Sequence, residues 1–120
     1  MTDRELLELA AKAAGYKKYY THYLGRDSFV TYDESYYSEV EERQVTGERT
    51  MDWNPLTDDG DALRLAVKLG FGISIPLANK RTDVVCFSDS RVSAIEAHGD
   101  PIAATRRAIV RAAAAIGANP

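Results

Sequence analysis

Between Trp53 and Gly70 the chain spells out one complete folding unit, with an aromatic residue, a proline, a helix start, an apolar face and a helix stop in order. Asn54-Pro55 requires an extended approach, because a residue before proline is kept out of the helical region. Thr57 then offers a hydroxyl to cap the free helix amides. Asp58, Asp59 and Asp61 put negative charge at the positive end of the helix dipole, and Lys68 balances the other end. Ala62, Leu63, Ala66, Val67 and Leu69 are assigned to the buried face, and Gly70 to the stop. A buried tryptophan withdraws about 150 to 250 Å² from water. Trp53 is therefore read as a pin holding the incoming chain against this helix, with Asn54, Pro55 and Asp58 completing the structural anchor.

The flanking segments supply partners for that unit. Thr2 and Glu5 have capping-box spacing, Leu6, Leu9, Ala10 and Ala13 form an apolar stripe, and Gly15 closes the helix in a left-handed conformation, so a first helix should end at Ala14. All seven tyrosines follow between positions 16 and 37. Aromatic residues favour strands, which places one strand over Lys17 to Leu24, a turn at Gly25-Arg26-Asp27 and a partner strand over Ser28 to Tyr32. The acidic, polar stretch 33–50 reads as a variable loop or an edge hairpin, with Gly47 marking a turn. After Gly70 the apolar period becomes two: Phe71, Ile73, Ile75 and Leu77 define a half-buried strand whose Pro76 suggests a sheet edge. Turns at Asn79-Lys80-Arg81 and Ser88-Asp89-Ser90 continue it into a three-stranded meander. Asp100-Pro101 opens the last helix; Ile102, Thr105, Ile109, Ala112, Ala113 and Ile116 share its inner face, Arg107 and Arg111 point away, and Gly117 ends it. The predicted fold is α+β: an antiparallel sheet of about three to five strands packed by three helices, sandwich-like, in the order α-β(β)-α-β-β-β-α, as one domain over residues 1–120.

Composition bounds the function. Hydrophobic and charged fractions of 45% and 28% are those of a globular chain. The net charge of −3 gives no global attraction for a phosphate backbone. No apolar run approaches the roughly 20 residues of a membrane span, and the start Met-Thr-Asp-Arg-Glu lacks a secretion signal, which points to the cytoplasm. Cys86 is the only cysteine and reads as a small buried hydrophobe. His22 and His98 belong to no spaced ligand pair, no nucleophile-and-base signature is present, and Gly70-Phe71-Gly72 leads into a strand where a phosphate loop needs a helix. The expectation is a non-enzyme without metal or cofactor.

The wording of residues 53–62 and of the closing Asp100-to-Ala114 segment resembles the phage ABA sandwich domain, a family of small proteins encoded in bacteriophages and prophages. The resemblance implies helices on both faces of a sheet and a setting in an infected or lysogenic host, with no established activity. In that setting the tyrosine cluster motivates a non-catalytic accessory protein, one that binds a host protein or a small nucleotide-like ligand and so blunts host defence. The candidate contacts are Tyr19, Tyr20, Tyr23, Tyr36 and Tyr37, to stack a base or anchor an interface, with Arg26 or Arg107 to meet phosphate or carboxylate. The same tyrosines can equally fill the core. A double-stranded RNA-binding module shares the helix, three-strand, helix order, but Asp100 and Pro101 stand where lysines would hold phosphates. A small hydrolase without a recognisable motif is the remaining alternative. Open sheet edges and the tyrosine face point to a homodimer.

Overall fold

Each helix starts on a side-chain oxygen. In the computed structural model, which describes residues 1–23 and 26–119 with the side chains of 21–29 outside the described set, α1 (Asp3–Ala13) begins on Thr2, whose Oγ1 accepts the Glu5 amide at 3.2 Å. Gly15 closes α1 at φ +85°, and the Tyr16 amide reaches back to the Ala11 carbonyl at 3.0 Å. α2 (Asp59–Leu69) is capped by Asp58, whose Oδ2 accepts the Asp61 amide at 2.8 Å, one residue after the expected Thr57. Thr57 instead donates its amide to the Asn54 carbonyl. Gly70 stops α2 at φ +69°. α3 (Pro101–Ala118) starts as expected on Asp100, which accepts the Ile102 amide at 3.0 Å. Gly117 does not end α3 but lies buried inside it.

Two three-stranded antiparallel sheets replace the single sheet of the sequence prediction, within the same α+β class and element order. The first holds β1 (Lys18–Tyr23), β2 (Arg26–Ser38) and β3 (Arg43–Asp52). Arg26 and Asp27, expected in a turn, pair with Tyr23 and His22; residues 24–25 lie outside the described set. The stretch 33–50 is a hairpin, and its turn falls at 39–42, where Glu42 takes φ +52°. Gly47 sits mid-strand opposite Glu34. It is small for a reason: a Cβ there would meet the Tyr36 ring at 3.0 Å.

The second sheet holds β4 (Phe71–Ser74), β5 (Arg81–Cys86) and β6 (Asp89–Ala97) in that order. The strand expected to reach Ala78 stops at Ser74, and a 3₁₀ turn occupies Leu77–Asn79 beyond Pro76. The β5–β6 turn is Phe87-Ser88, with Asp89 already paired to Cys86. Thr82, Val84, Cys86, Val92 and Ala94 alternate inward under α3.

α3 is the hub, packed on β5 and β6 and also against α1 and α2. Its buried residues are Ala104, Ala108, Ile109, Val110, Ala112, Ala113, Ala114 and Gly117, small enough for backbones to approach closely. α1 runs parallel to α3, since Asp3 meets Arg107 and Leu9 meets Gly117. Val30, Trp53 and the nearby Tyr19 and Met51 bring the root of the first sheet into this core, while residues 33–50 leave it as a ribbon exposed on both faces. The molecule is accordingly long, 57 × 34 × 25 Å. Among the described residues no helix is long and apolar enough to cross a membrane.

Candidate functional site

The register of β1, β2 and β3 decides where the tyrosines go. Tyr19 pairs with Val30 and Tyr20 with Phe29, so the two point to opposite faces; Tyr36 and Tyr37 alternate in the same way farther along β2. Tyr20 and Tyr37 share a face, eight residues apart along β2, which is roughly 26 Å at strand rise. No common stacking platform results from these four. Tyr19 packs edge-on to Trp53 with ring centroids at 6.2 Å, and Tyr16 does the same at 5.4 Å. Burial raises the Tyr16 phenol pKa, and the charge of Asp61 adds to that effect. Tyr36 lies over Gly47 and carries the Arg49 guanidinium 4.3 Å from its ring centre. Tyr37 is exposed. Tyr23 and Arg26 are placed as paired strand residues, and their side chains lie outside the described set.

Arg107 is on α3, in a different part of the fold from the tyrosine hairpin. Its guanidinium donates to Asp3 at 3.1 Å and sits 3.6 Å from Glu96, which also accepts from Arg111 at 3.0 Å. The structural anchor is better supplied than its sequence suggested. Trp53 and Pro55 are buried, the Asn54 amide donates to Asp61 Oδ2 at 2.9 Å, and Asn54 Oδ1 accepts the Leu56 amide. Asp61 also receives Arg64 at 2.7 Å. It is thus the buried knot of the α2 start, and more than a dipole partner.

An apolar concavity lies elsewhere, between α2, the start of α3 and the β4 segment. It measures about 530 Å³, within the range of ligand and side-chain pockets. Leu63, Ile73, Ile75, Leu77, Ile102 and Ile109 line it. Leu63, Leu77 and Ile102 are 62%, 67% and 59% exposed, so these side chains face solvent and not a core. Arg106 closes one end, donating to Asp59 Oδ1 at 2.7 Å and to the Leu56 carbonyl at 2.8 Å. Val67, assigned by periodicity to the buried face of α2 together with Leu63, is also exposed. Helical spacing reports that a face is apolar, and it carries no signal for whether the fold itself covers that face.

Two polar groupings are internal. Thr105 donates to the Pro101 carbonyl, which leaves the fully buried Thr82 to donate to Thr105 Oγ1 at 2.9 Å and to accept from His98 Nε2 at 2.7 Å. This arrangement fixes the His98 proton on Nε2 and ties β5 and the end of β6 to the start of α3. Cys86 is buried beside Ser88, whose hydroxyl 3.1 Å away holds the thiol below its ordinary pKa against the opposing effect of burial. No group of three or more metal-ligating side chains occurs among the described residues. Comparison with family models, curated proteins and solved structures found no match to this chain.

Proposed function

We propose that this chain is a non-catalytic binding protein that takes the apolar row of another protein segment into the groove formed by α2, α3 and β4. One observation carries it: Leu63, Ile73, Ile75, Leu77 and Ile102 stand exposed together around a concavity whose charged lining is the mutually satisfied pair Asp59 and Arg106. Contiguous apolar surface of this kind marks interaction sites in soluble proteins. The proposed setting is the infected or lysogenic host that the sequence resemblance implies, with counter-defence as the proposed role.

A nucleotide-like ligand fits the groove less well. The groove has no aromatic ring to stack a base, and its one guanidinium is already engaged by Asp59 and Leu56. Duplex RNA is disfavoured because Asp100 heads α3 and carboxylates occupy Arg107 and Arg111. Hydrolysis is disfavoured because Thr82 and Cys86 are shut off from solvent and Thr105, the hydroxyl of that network that reaches the groove, is engaged by the Pro101 carbonyl.

The probe is 8-anilinonaphthalene-1-sulfonate, titrated against folded protein with the near-ultraviolet circular dichroism of Trp53 as the check on packing. Leu77→Asp and Ile102→Asp should each weaken dye binding about tenfold, the loss of one buried aliphatic contact, while Tyr37→Ala leaves it unchanged. Dye affinity that ignores both groove variants refutes the proposal. Calorimetric titration with cyclic oligonucleotides and ADP-ribose should give no heat; saturable heat would favour the nucleotide alternative.

A further inference from the structure

The occupant of the groove can be narrowed by asking which edge of the two sheets is unguarded. Free strand edges invite pairing unless charge, irregularity or a covering group blocks them. The two sheets have four edge strands, and β1 carries Lys18 at its start. β3 carries Arg43, Glu48 and Arg49 along a ribbon, residues 33–50, that holds six carboxylates against two arginines. That net −4 exceeds the −3 of the whole chain, so two such ribbons repel. β6 is covered: Arg111 donates to the Ile95 carbonyl at 3.2 Å, and Asp89, Arg91 and Glu96 lie along the strand. β4 and the residue after it read Phe-Gly-Ile-Ser-Ile, without a charge; the Phe87 ring lies against Gly72 on the outer face. Among the described residues, no hydrogen bond beyond the β5 ladder is made by 71–75.

β4 is also a wall of the groove. Phe71, Ile73 and Ile75 share its inner side, where Ile73 and Ile75 line the groove and Phe71 packs on the core, and Gly72 and Ser74 share its outer side. Resting on the groove reading above, we infer that the segment it accepts is a second copy of this chain, joined about a two-fold axis by antiparallel β4–β4 pairing. With the axis at Ile73, Phe71 of one copy stands opposite Ile75 of the other, and both pairs lie on the apolar side. The exposed parts of Leu63, Ile73, Ile75, Leu77 and Ile102 amount to on the order of 400 Å² of apolar side chain, against about 800 Å² in total that each partner of a standard interface buries. The backbone of the paired edges and the rim supply the difference. Charge raises no barrier, because Asp59 and Arg106 neutralise each other on each copy and the acidic ribbon belongs to the other sheet.

Sedimentation velocity of the full chain over about 5 to 200 µM tests this. Wild type should sediment as a dimer at the upper end, and Ile75→Asp and Leu77→Asp, both at exposed positions, should weaken association at least about tenfold. Glu48→Lys, on the ribbon, should change nothing. Ile73→Cys should give a disulfide-linked dimer on mild oxidation, since residues opposite one another in antiparallel strands have Cα atoms close enough for the bond. A wild type that is monomeric at the highest concentration, a dimer that survives both aspartates, or a dimer that refuses the Ile73 cross-link overturns the inference. A monomer whose dye binding still responds to Leu77→Asp removes the second copy alone and leaves the groove reading standing; dye binding indifferent to that change removes the groove reading itself.

Discussion

Gly117→Ala separates two physical pictures by the sign of its effect. An alanine in an open helix interior stabilises it by about 1 kcal/mol relative to glycine. At Gly117 the added Cβ would stand 2.8 Å from the Leu9 carbonyl carbon and closer still to its oxygen, both backbone atoms of α1. Ordinary contact requires about 3.4 Å or more, so α1 and α3 must part by roughly an ångström along a seam that includes Ala10, Ala14 and Ala113, which are closely packed and have no flexible side chain to yield. Overpacking of this kind costs about 1 to 3 kcal/mol, and more where backbone has to move. Because backbone has to move here, the cost lies above that range, and after the helical gain the net loss should be about 2 to 4 kcal/mol of a stability expected near 5 to 15, lowering Tm by about 8 to 15 °C for a chain of this length. Thermal and urea denaturation followed by circular dichroism measure it. Gly70→Ala is the comparison: its φ of +69° is strained for alanine, but nothing lies within 4 Å, so about 1 kcal/mol is expected. An unchanged or higher Tm for Gly117→Ala would refute the close seam between α1 and α3.

Asp61→Ala should cost about 2 to 3 kcal/mol, because the Asn54 amide and the α2 start lose a charged acceptor whose side chain is only 12% exposed, as urea unfolding will show. Arg64→Ala, which removes the exposed partner of the same pair, should cost far less than Asp61→Ala in the same urea melts. Tyr16 should titrate above the ordinary phenol value of 10.0, owing first to burial and then to Asp61. The unfolded chain therefore ionises first, and stability should fall as pH climbs past 10 toward the raised folded value. Tyr16→Phe should flatten that alkaline decline in pH-dependent urea melts; an unchanged slope would show the phenol to be unperturbed.

What the sequence made legible was local chemistry with one dominant cause. Thr2, Gly15, Gly70 and Asp100-Pro101 each mark a helix end through a single steric or hydrogen-bonding requirement, and each is where it was expected. Glycine proved ambiguous where two causes compete. Gly117 looks like a stop and serves a helix crossing, while Gly47 looks like a turn and serves as the floor under Tyr36. Thr57 and Asp58 are both competent caps, and the Asn54 turn that absorbs the Thr57 amide decides between them. The groove was the least legible part. Leu63 and Val67 have the spacing of a core face, and whether anything covers them depends on where β4 and α3 come to rest.

The same competition accounts for the crowding of tyrosines into the first hairpin. A two-stranded ribbon leaving the core is marginal in water on its own, and residues 33–50 have no buried face to hold them. Their order comes from cross-strand pairs: Arg49 with Glu34 at 3.0 Å and over the Tyr36 ring, Ser35 beside Thr46, and Lys17 on Asp33 at the root. Each contributes about 0.2 to 1 kcal/mol. Tyrosine suits such a place, since its ring favours the strand and covers a neighbour while its hydroxyl stays wet. At the root the same residue type does another job, with Tyr16 and Tyr19 setting their rings against Trp53. Pairing along the ribbon and packing at its base therefore account for Tyr36, Tyr16 and Tyr19 without a ligand. The exposed aliphatic residues of the groove have no comparable role among the described contacts of one copy of the chain, and for that reason the proposed binding is placed there.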